Sequence, residues 1–178
     1  MSKTNRERAV GFCVALALIS GLAVVRLSGS EQDVPAQLKP PEGQALAAEA
    51  HAKGFQIYTC KNDGNAYSWI LKGPDAELFD KAGKKVGRHF AGPTWEWSDN
   101  SQVTGKLMTS APSPDADSIA WLLLVATGHS GEGVLAHVTN IQRLHTKGGK
   151  APAAGCDSAH DGQETRASYT ADYLFYGK

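Results

Sequence analysis

From Gly54 onward the chain sets short runs of aromatic and β-branched residues between clusters of turn residues, at intervals of roughly ten, which is the spacing of an antiparallel all-β domain. Candidate strands fall at residues 55–60, 66–72, 76–80, 85–91, 94–98, 102–110, 119–127, 134–146 and 168–176, about nine in all. The punctuation between them includes Asn62-Asp63-Gly64-Asn65, Gly73-Pro74-Asp75, Lys81-Ala82-Gly83, Gly92-Pro93, Asp99-Asn100-Ser101 and Pro112-Ser113-Pro114. Each set contains residues that accept positive φ or fix φ near −65°. Alternation puts Tyr169, Ala171, Tyr173 and Phe175 on one face, which should supply core. Residues 121–125 (WLLLV) do not alternate, so they predict a central strand buried on both faces, as in a β-sandwich or small barrel with an overlying element.

Upstream the pattern is different. Residues 2–8 are polar and positive, and residues 9–25 are an unbroken apolar and small-residue run, the order of a secretory signal. Ser28, Gly29 and Ser30 suit a signal peptidase, so cleavage is placed near Ser30; Arg26 interrupts the approach, and an uncleaved anchor is the alternative, the one route to a membrane. Residues 31–43 mix Pro, Gly and charge and read as a linker. Residues 44–53 (QALAAEAHAK) are rich in helix formers and end at Gly54, which fits either a short N-terminal helix or an extended lead-in. The expected organisation is a signal peptide over 1–30, a linker over 31–43 and a single β-rich domain over 44–178, periplasmic or secreted.

Lysine plus arginine and aspartate plus glutamate number 18 each. Removing the leader leaves 14 basic and 17 acidic groups, so nothing suggests nucleic acid as a partner, and a monomer is expected. Of the three cysteines, Cys13 lies inside the leader. Cys60 and Cys156 remain, and an even pair in an oxidising compartment reads as a disulfide. Closing so long a loop would stabilise the fold by roughly 4 kcal/mol in the chain-entropy model. A thiol nucleophile would need an unpaired cysteine beside a histidine, and zinc would need closer-spaced ligands.

The densest group of chemistry-bearing residues is 87–99 (GRHFAGPTWEWSD). A tight turn at Gly92-Pro93 would bring His89 near Trp95 or Trp97 and turn Glu96 to the other face. In one reading the tryptophans stack on a small-molecule or glycan ligand while His89, Glu96 and Asp99 give directed hydrogen bonds. In the other, both tryptophans are core and His89 serves a buried backbone group, the commoner fate of such residues. No metal or cofactor is expected. His137 and His145 would stand about 26 Å apart along an unbroken strand, and His129 with Glu132 would need tertiary neighbours. Residues 128–132 miss the nucleophile elbow G-x-S-x-G because Glu132 stands in the last glycine's place. Glu96 with Asp99, or Asp75 with Glu77, would need the carboxyl spacing of a glycosidase, which sequence proximity does not establish. Residues 143–152, beginning at Arg143, carry local positive charge that can attract an anion, although a solvated loop is the default.

Several segments in fixed order carry a resemblance: residues 54–60 (GFQIYTC), 73–80 (GPDAELFD), 87–95 (GRHFAGPTW), 101–105 (SQVTG), 121–124 (WLLL), 141–143 (IQR), 146–149 (TKGG), 155–156 (GC) and 169–173 (YTADY). Together they resemble a family of secreted bacterial and fungal proteins filed as a domain of unknown function, number thirty-four fifty-five. The resemblance covers nearly all of the mature chain and implies export and a single domain, but no activity, cofactor or site residue. Three roles are therefore carried forward: an extracytoplasmic ligand-binding module, an extracytoplasmic hydrolase using His89 with Glu96 or Asp99, and a structural envelope protein. The bridge is the most exposed expectation. Alkylation of the mature protein without reductant should label neither Cys60 nor Cys156, and labelling of both would exclude it.

Overall fold

The computed structural model describes residues 34–178; the expected leader, its cleavage region and Cys13 lie outside the described residues. Eight strands follow one another around a single closed ring: β1 (Ala45–Asn62), β2 (Tyr67–Phe79), β3 (Lys85–Phe90), β4 (Thr94–Trp97), β5 (Gln102–Ala111), β6 (Trp121–Ser130), β7 (Val138–Gly148) and β8 (Glu164–Gly177). Every neighbouring pair is antiparallel, and β1 closes on β8 from Ala45↔Gly177 to Thr59↔Glu164. The all-β expectation holds, in its barrel form.

The structure settles two details of the pattern, the first in favour of the extended alternative. Residues 44–53 form no helix; Ala45 onward belongs to β1, paired with β2 on one side and β8 on the other. The alanines that favour helix also alternate: Ala50 and Ala52 point inward, 2% and 0% exposed, while His51 and Lys53 point out. Pairing on both edges outweighs a helix propensity of a few tenths of a kcal/mol per residue. The count is eight strands rather than nine, because Gly73-Pro74-Asp75 does not turn the chain. It follows a bulge at Lys72, opposite Ile57 and Tyr58, with Gly73 at φ 152°, and runs on in register with β1, Pro74 opposite Gln56 and Asp75 opposite Phe55. The strand expected from residue 134 begins at Val138, since residues 133–138 turn through Ala136 N–H to Gly133 and Val138 N–H to Leu135.

The interior is packed by unequal partners. Trp95, Tyr173 and Phe175 are fully buried beside Ala50, Ala52, Ala76 and Ala171. Gly105 belongs to this fit: a Cβ there would sit 3.1 Å from the Trp95 ring. Residues 169, 171, 173 and 175 all face the core, as the alternation predicts. Leu135 in the β6–β7 connection is also fully buried in this cluster and fills that end of the barrel.

A second cluster lies outside the ring. Ala111, Trp121, Leu123 and Leu144 are covered by Leu38, which follows from a 3-10 turn at Ala36–Leu38 and is 0% exposed. This segment is the overlying element that the non-alternating run at 121–125 calls for. Leu124 faces the inner cluster and Leu123 the outer one, so β6 is buried on both faces there. Part of the region read as a linker is thus docked on the barrel, and the Gln142 side-chain amide donates to the Leu38 carbonyl.

Cys60 and Cys156 are joined, fastening the end of β1 to the β7–β8 connection. The same connection is tied down by Tyr58 O–H to Gly149 O at 2.7 Å and Trp69 Nε1–H to Ala154 O at 3.0 Å. Leu38 supplies a direct test of the outer cluster. Leu38→Ala should lower the free energy of unfolding by about 2–4 kcal/mol in urea titration, whereas a change within experimental error would mean that the segment does not dock in solution.

Candidate functional site

In an up-and-down barrel, alternate connections gather at opposite ends. The β4–β5 and β6–β7 connections meet at one end, where Asp99 Oδ1 accepts from Ser101 N–H and O–H, and Oδ2 accepts from Val134 N–H. These bonds hold the Asp99 carboxyl below its usual range, the Ser101 hydroxyl bond acting most strongly. Asp99 is a fastener for the Leu135 plug. The other end receives the β3–β4 and β5–β6 turns and the disulfide-tied β7–β8 connection. There the core gives way to a cavity of about 270 Å³.

Polar side chains gather on its walls. Gln56 of β1, His89 of β3, Trp95 of β4, Arg143 of β7 and Tyr173 of β8 all line it, with Leu71, Leu107, Leu122, Pro74 and Pro93 toward the rim. Inward parity positions each polar group, since His89 pairs with Trp95 across the β3–β4 hairpin and Arg143 pairs with Tyr173 across β7–β8. The His89 and Trp95 rings stack at 4.3 Å with planes 7° apart, and Tyr173 meets His89 edge-on at 4.9 Å. Small residues at the hairpin tip, Ala91-Gly92, and the β2 bulge leave the approach open. Leu71 and Leu107 are each 53% exposed, so the mouth is apolar while the floor is polar.

His89 is 3% exposed, and its Nδ1 lies 2.8 Å from the Thr94 carbonyl. A carbonyl only accepts, so Nδ1 carries the proton and Nε2 presents a lone pair. Burial, opposed by the Thr94 bond and reinforced by the charge of Arg143, pushes the imidazole pKa down to about 3. His89 is therefore neutral in the fold. Burial also raises the Tyr173 and Tyr169 phenols, so both are protonated donors at neutral pH. Tyr173 lies beside Tyr169 and Arg143, yet its hydroxyl completes a hydrogen bond with neither. Trp95 Nε1 and Gln56 Nε2 are likewise buried without a partner at hydrogen-bond geometry among the described residues, as is the Tyr169 hydroxyl that Gln56 approaches. A buried donor left unsatisfied costs about 1–3 kcal/mol, so three around one cavity require a reason.

Arg143 donates through Nε and Nη2 to the Ala120 carbonyl, at 3.1 and 2.8 Å. It has no carboxylate partner, unlike Arg88 on Glu96 and Arg166 on Asp75, and no acidic residue lines the cavity. A half-buried guanidinium thus faces neutral donors.

The sequence-nominated residues divide. His89 and Trp95 are together at the cavity. Trp97 is half-buried at the core's edge, meeting Phe175 edge-on at 6.0 Å. Glu96 points to the outer face, gripped by Arg88 and Gln102, and the Arg88 bond lowers its carboxyl pKa. Neither Glu96 nor Asp99 orients His89, so the dyad that a His89 hydrolase would use is not formed. Gln56 was not singled out by its sequence context, Tyr173 was expected only as core, and Arg143 only as the start of a positive segment able to attract an anion. Arg143 sits at inward parity two residues after Ile141, and a lone arginine on an apolar strand face was the available signal.

Two other features are larger or more polar but less suited to a ligand. A groove of about 910 Å³ crosses the outer faces of β8, β1, β2 and β3, but its Arg166, Lys85 and Arg88 are already paired with Asp75, Glu77 and Glu96. On the outside of β8, Asp172 accepts from His51 at 2.7 Å and His145 at 2.9 Å, and no group of three potential ligands among the described residues is arranged to hold a metal.

A family model described as "Protein of unknown function (DUF3455)" matches residues 40–177, which is the whole barrel together with the lead-in to β1. No curated protein and no solved structure matches the chain.

The neutral state of His89 has a measurable consequence. The unfolded chain takes up this proton near pH 6.5 and the fold only near 3, so the unfolded state binds more protons between those values. Stability should fall as pH drops through that window, with His89 contributing roughly 1 kcal/mol per pH unit. Urea unfolding across pH should give a shallower slope for His89→Gln than for wild type; equal slopes would place the imidazole in contact with water.

Proposed function

For this chain, which belongs to the DUF3455 family, we propose that the activity is reversible binding of one small organic molecule in the barrel's open end, outside the cytoplasm. The observation that carries the reading is the group of buried polar atoms without a hydrogen-bond partner, Trp95 Nε1, Tyr173 Oη and Gln56 Nε2, on residues that line one cavity from three strands. A structural role alone would favour apolar substitutes at those positions, because each unsatisfied donor opposes folding. Eight-stranded barrels have an interior just wide enough for side chains or one small ligand, and a volume of about 270 Å³ is at the small end of ligand sites. A single ring or a short chain is the size that fits.

Export is the second part of the proposal. It is supported by the charged and apolar order of residues 2–25 and by the Cys60–Cys156 bridge, which persists only where thiols are not kept reduced. Chemistry on the ligand has little support. His89 presents a lone pair at Nε2, but its other nitrogen is fixed on a carbonyl rather than a carboxylate, and no nucleophile of the serine or cysteine type lines the cavity. The site is built to hold.

Trp95 supplies the reporter. In ¹⁵N-labelled protein the Trp95 indole N–H signal, assigned by its loss in Trp95→Phe, should shift on addition of at least one small aromatic or short aliphatic compound that also raises Tm. Leu107→Trp at the exposed rim should block both responses without loss of fold. If every compound leaves the Trp95 signal unmoved, or if Leu107→Trp responds as wild type does, the cavity is not the binding site.

A further inference from the structure

We infer that the ligand is a monoanionic carboxylate carrying a compact apolar body, its carboxylate held by Arg143 and the indole N–H of Trp95 and its body lying between the aromatic floor and the leucine rim. This deepens the small-molecule reading above and rests on it. The argument begins with charge. Arg143 is the one arginine among the described residues without a carboxylate, and it is half-buried on a wall that includes no acid. The cavity's other cation, Lys72, is already engaged by Glu164 at 2.6 Å. One unbalanced positive charge remains, and a guanidinium partly withdrawn from water favours an anion beside it.

Hydrogen-bond polarity narrows the class. Arg143 and Trp95 Nε1 can only donate, and the Tyr173 hydroxyl is free to donate as well. A carboxylate accepts at two oxygens with about four lone-pair sites, enough to take bonds from the guanidinium and both neutral donors together. A ligand cation would meet Arg143 with like charge. A neutral amide offers one acceptor oxygen and brings two further donors into a site already rich in them. A phosphate dianion would exceed the single free charge available, and no helix N-terminus among the described residues supplements it. His89 Nε2 is the fixed acceptor of the site and suits a ligand hydroxyl or N–H if one is present, but the other walls supply no further need for a donor.

Shape supplies the rest. Beyond the donors the lining is Leu71, Pro74, Pro93, Leu107, Leu122 and Leu124, and the stacked His89–Trp95 pair presents a flat surface. That enclosure suits one ring or a short hydrocarbon chain and leaves polar polymers without partners for their hydroxyls. The Arg143 anchor is itself fixed: its two bonds to Ala120 O hold the guanidinium to the β5–β6 connection, so part of the donor fork is committed and part remains for the ligand.

Two matched pairs of probes test the inference on the full mature protein: phenylacetate with phenylacetamide, and hexanoate with hexanamide, each titrated at pH 7 against the Trp95 indole signal. Each acid should bind about ten to a hundred times more tightly than its amide, the range of a charge-assisted bond. In Arg143→Gln that ratio should fall to about one through weaker binding of the acids, and Arg143→Lys should restore part of it. Amides binding as tightly as acids to wild type would overturn the carboxylate inference while leaving the cavity reading intact. Displacement of the Trp95 signal by none of the four probes would likewise overturn the carboxylate inference, while the cavity reading falls only if the wider set of compounds also leaves that signal unmoved. If Arg143→Gln fails to fold, the acid-to-amide ratio of the wild type and of Arg143→Lys still decides the matter.

Discussion

Closure of β1 on β8 is the constraint from which the rest of the molecule follows. The pairing engages the two terminal strands along most of their length, so the sheet has no free edge to offer a second chain. It also fixes an interior of limited width, which must be filled at ordinary packing density. The chain meets that demand with large aromatics at Trp95, Tyr173 and Phe175 set against alanines and Gly105 on the facing strands. Toward the plugged end this filling is complete. Toward the other end aromatic bulk is replaced by Gln56, His89 and Arg143, and a cavity results.

Long-range ties then decide which side of that end stays open. The disulfide and the Tyr58 and Trp69 bonds draw the β7–β8 connection toward β1 and β2. Ser118 and Gly149 bridge it to the β5–β6 connection, with Thr146 bonded to Ile119 O. The bulge in β2, the short β3–β4 turn and the exposed Leu107 of β5 form the remaining side, which is the mouth. Outward positions carry paired charges such as Lys85 with Glu77 and Arg88 with Glu96, so the outer surface is suited to water. The chemistry of the protein is therefore enclosed, with a donor-rich floor under an apolar lip.

Much of this was readable in the sequence, and the exceptions have physical causes. The strict alternation of residues 169–175 revealed the core face because period-two burial leaves no ambiguity. The apolar run at 121–125 announced an overlying element, and Leu38 is that element. The approach of His89 to Trp95 followed from a tight turn around Gly92-Pro93 between short strands, which the fold makes over Ala91, Gly92 and Pro93. By contrast, residues 44–53 were ambiguous because alanine favours helix locally, and only the partner strands, more than a hundred residues away in the case of β8, select the extended form. Gly73-Pro74 carries turn chemistry that serves a bulge equally well. The cavity itself depended on which inward residues from β1, β3, β4, β7 and β8 reach one level of a tilted ring, and register of that kind is set by bulges that composition does not reveal.

The account's central claim is that the unpartnered donors inside the ring exist to receive an acidic ligand. A crystal structure of the protein grown with saturating phenylacetate tests it most directly. The account predicts ligand density in the cavity with a carboxylate oxygen within hydrogen-bond distance of both Arg143 and Trp95 Nε1, and the ring against the His89–Trp95 stack. Ordered water alone bridging Arg143, Trp95 and Tyr173 under those conditions would contradict it.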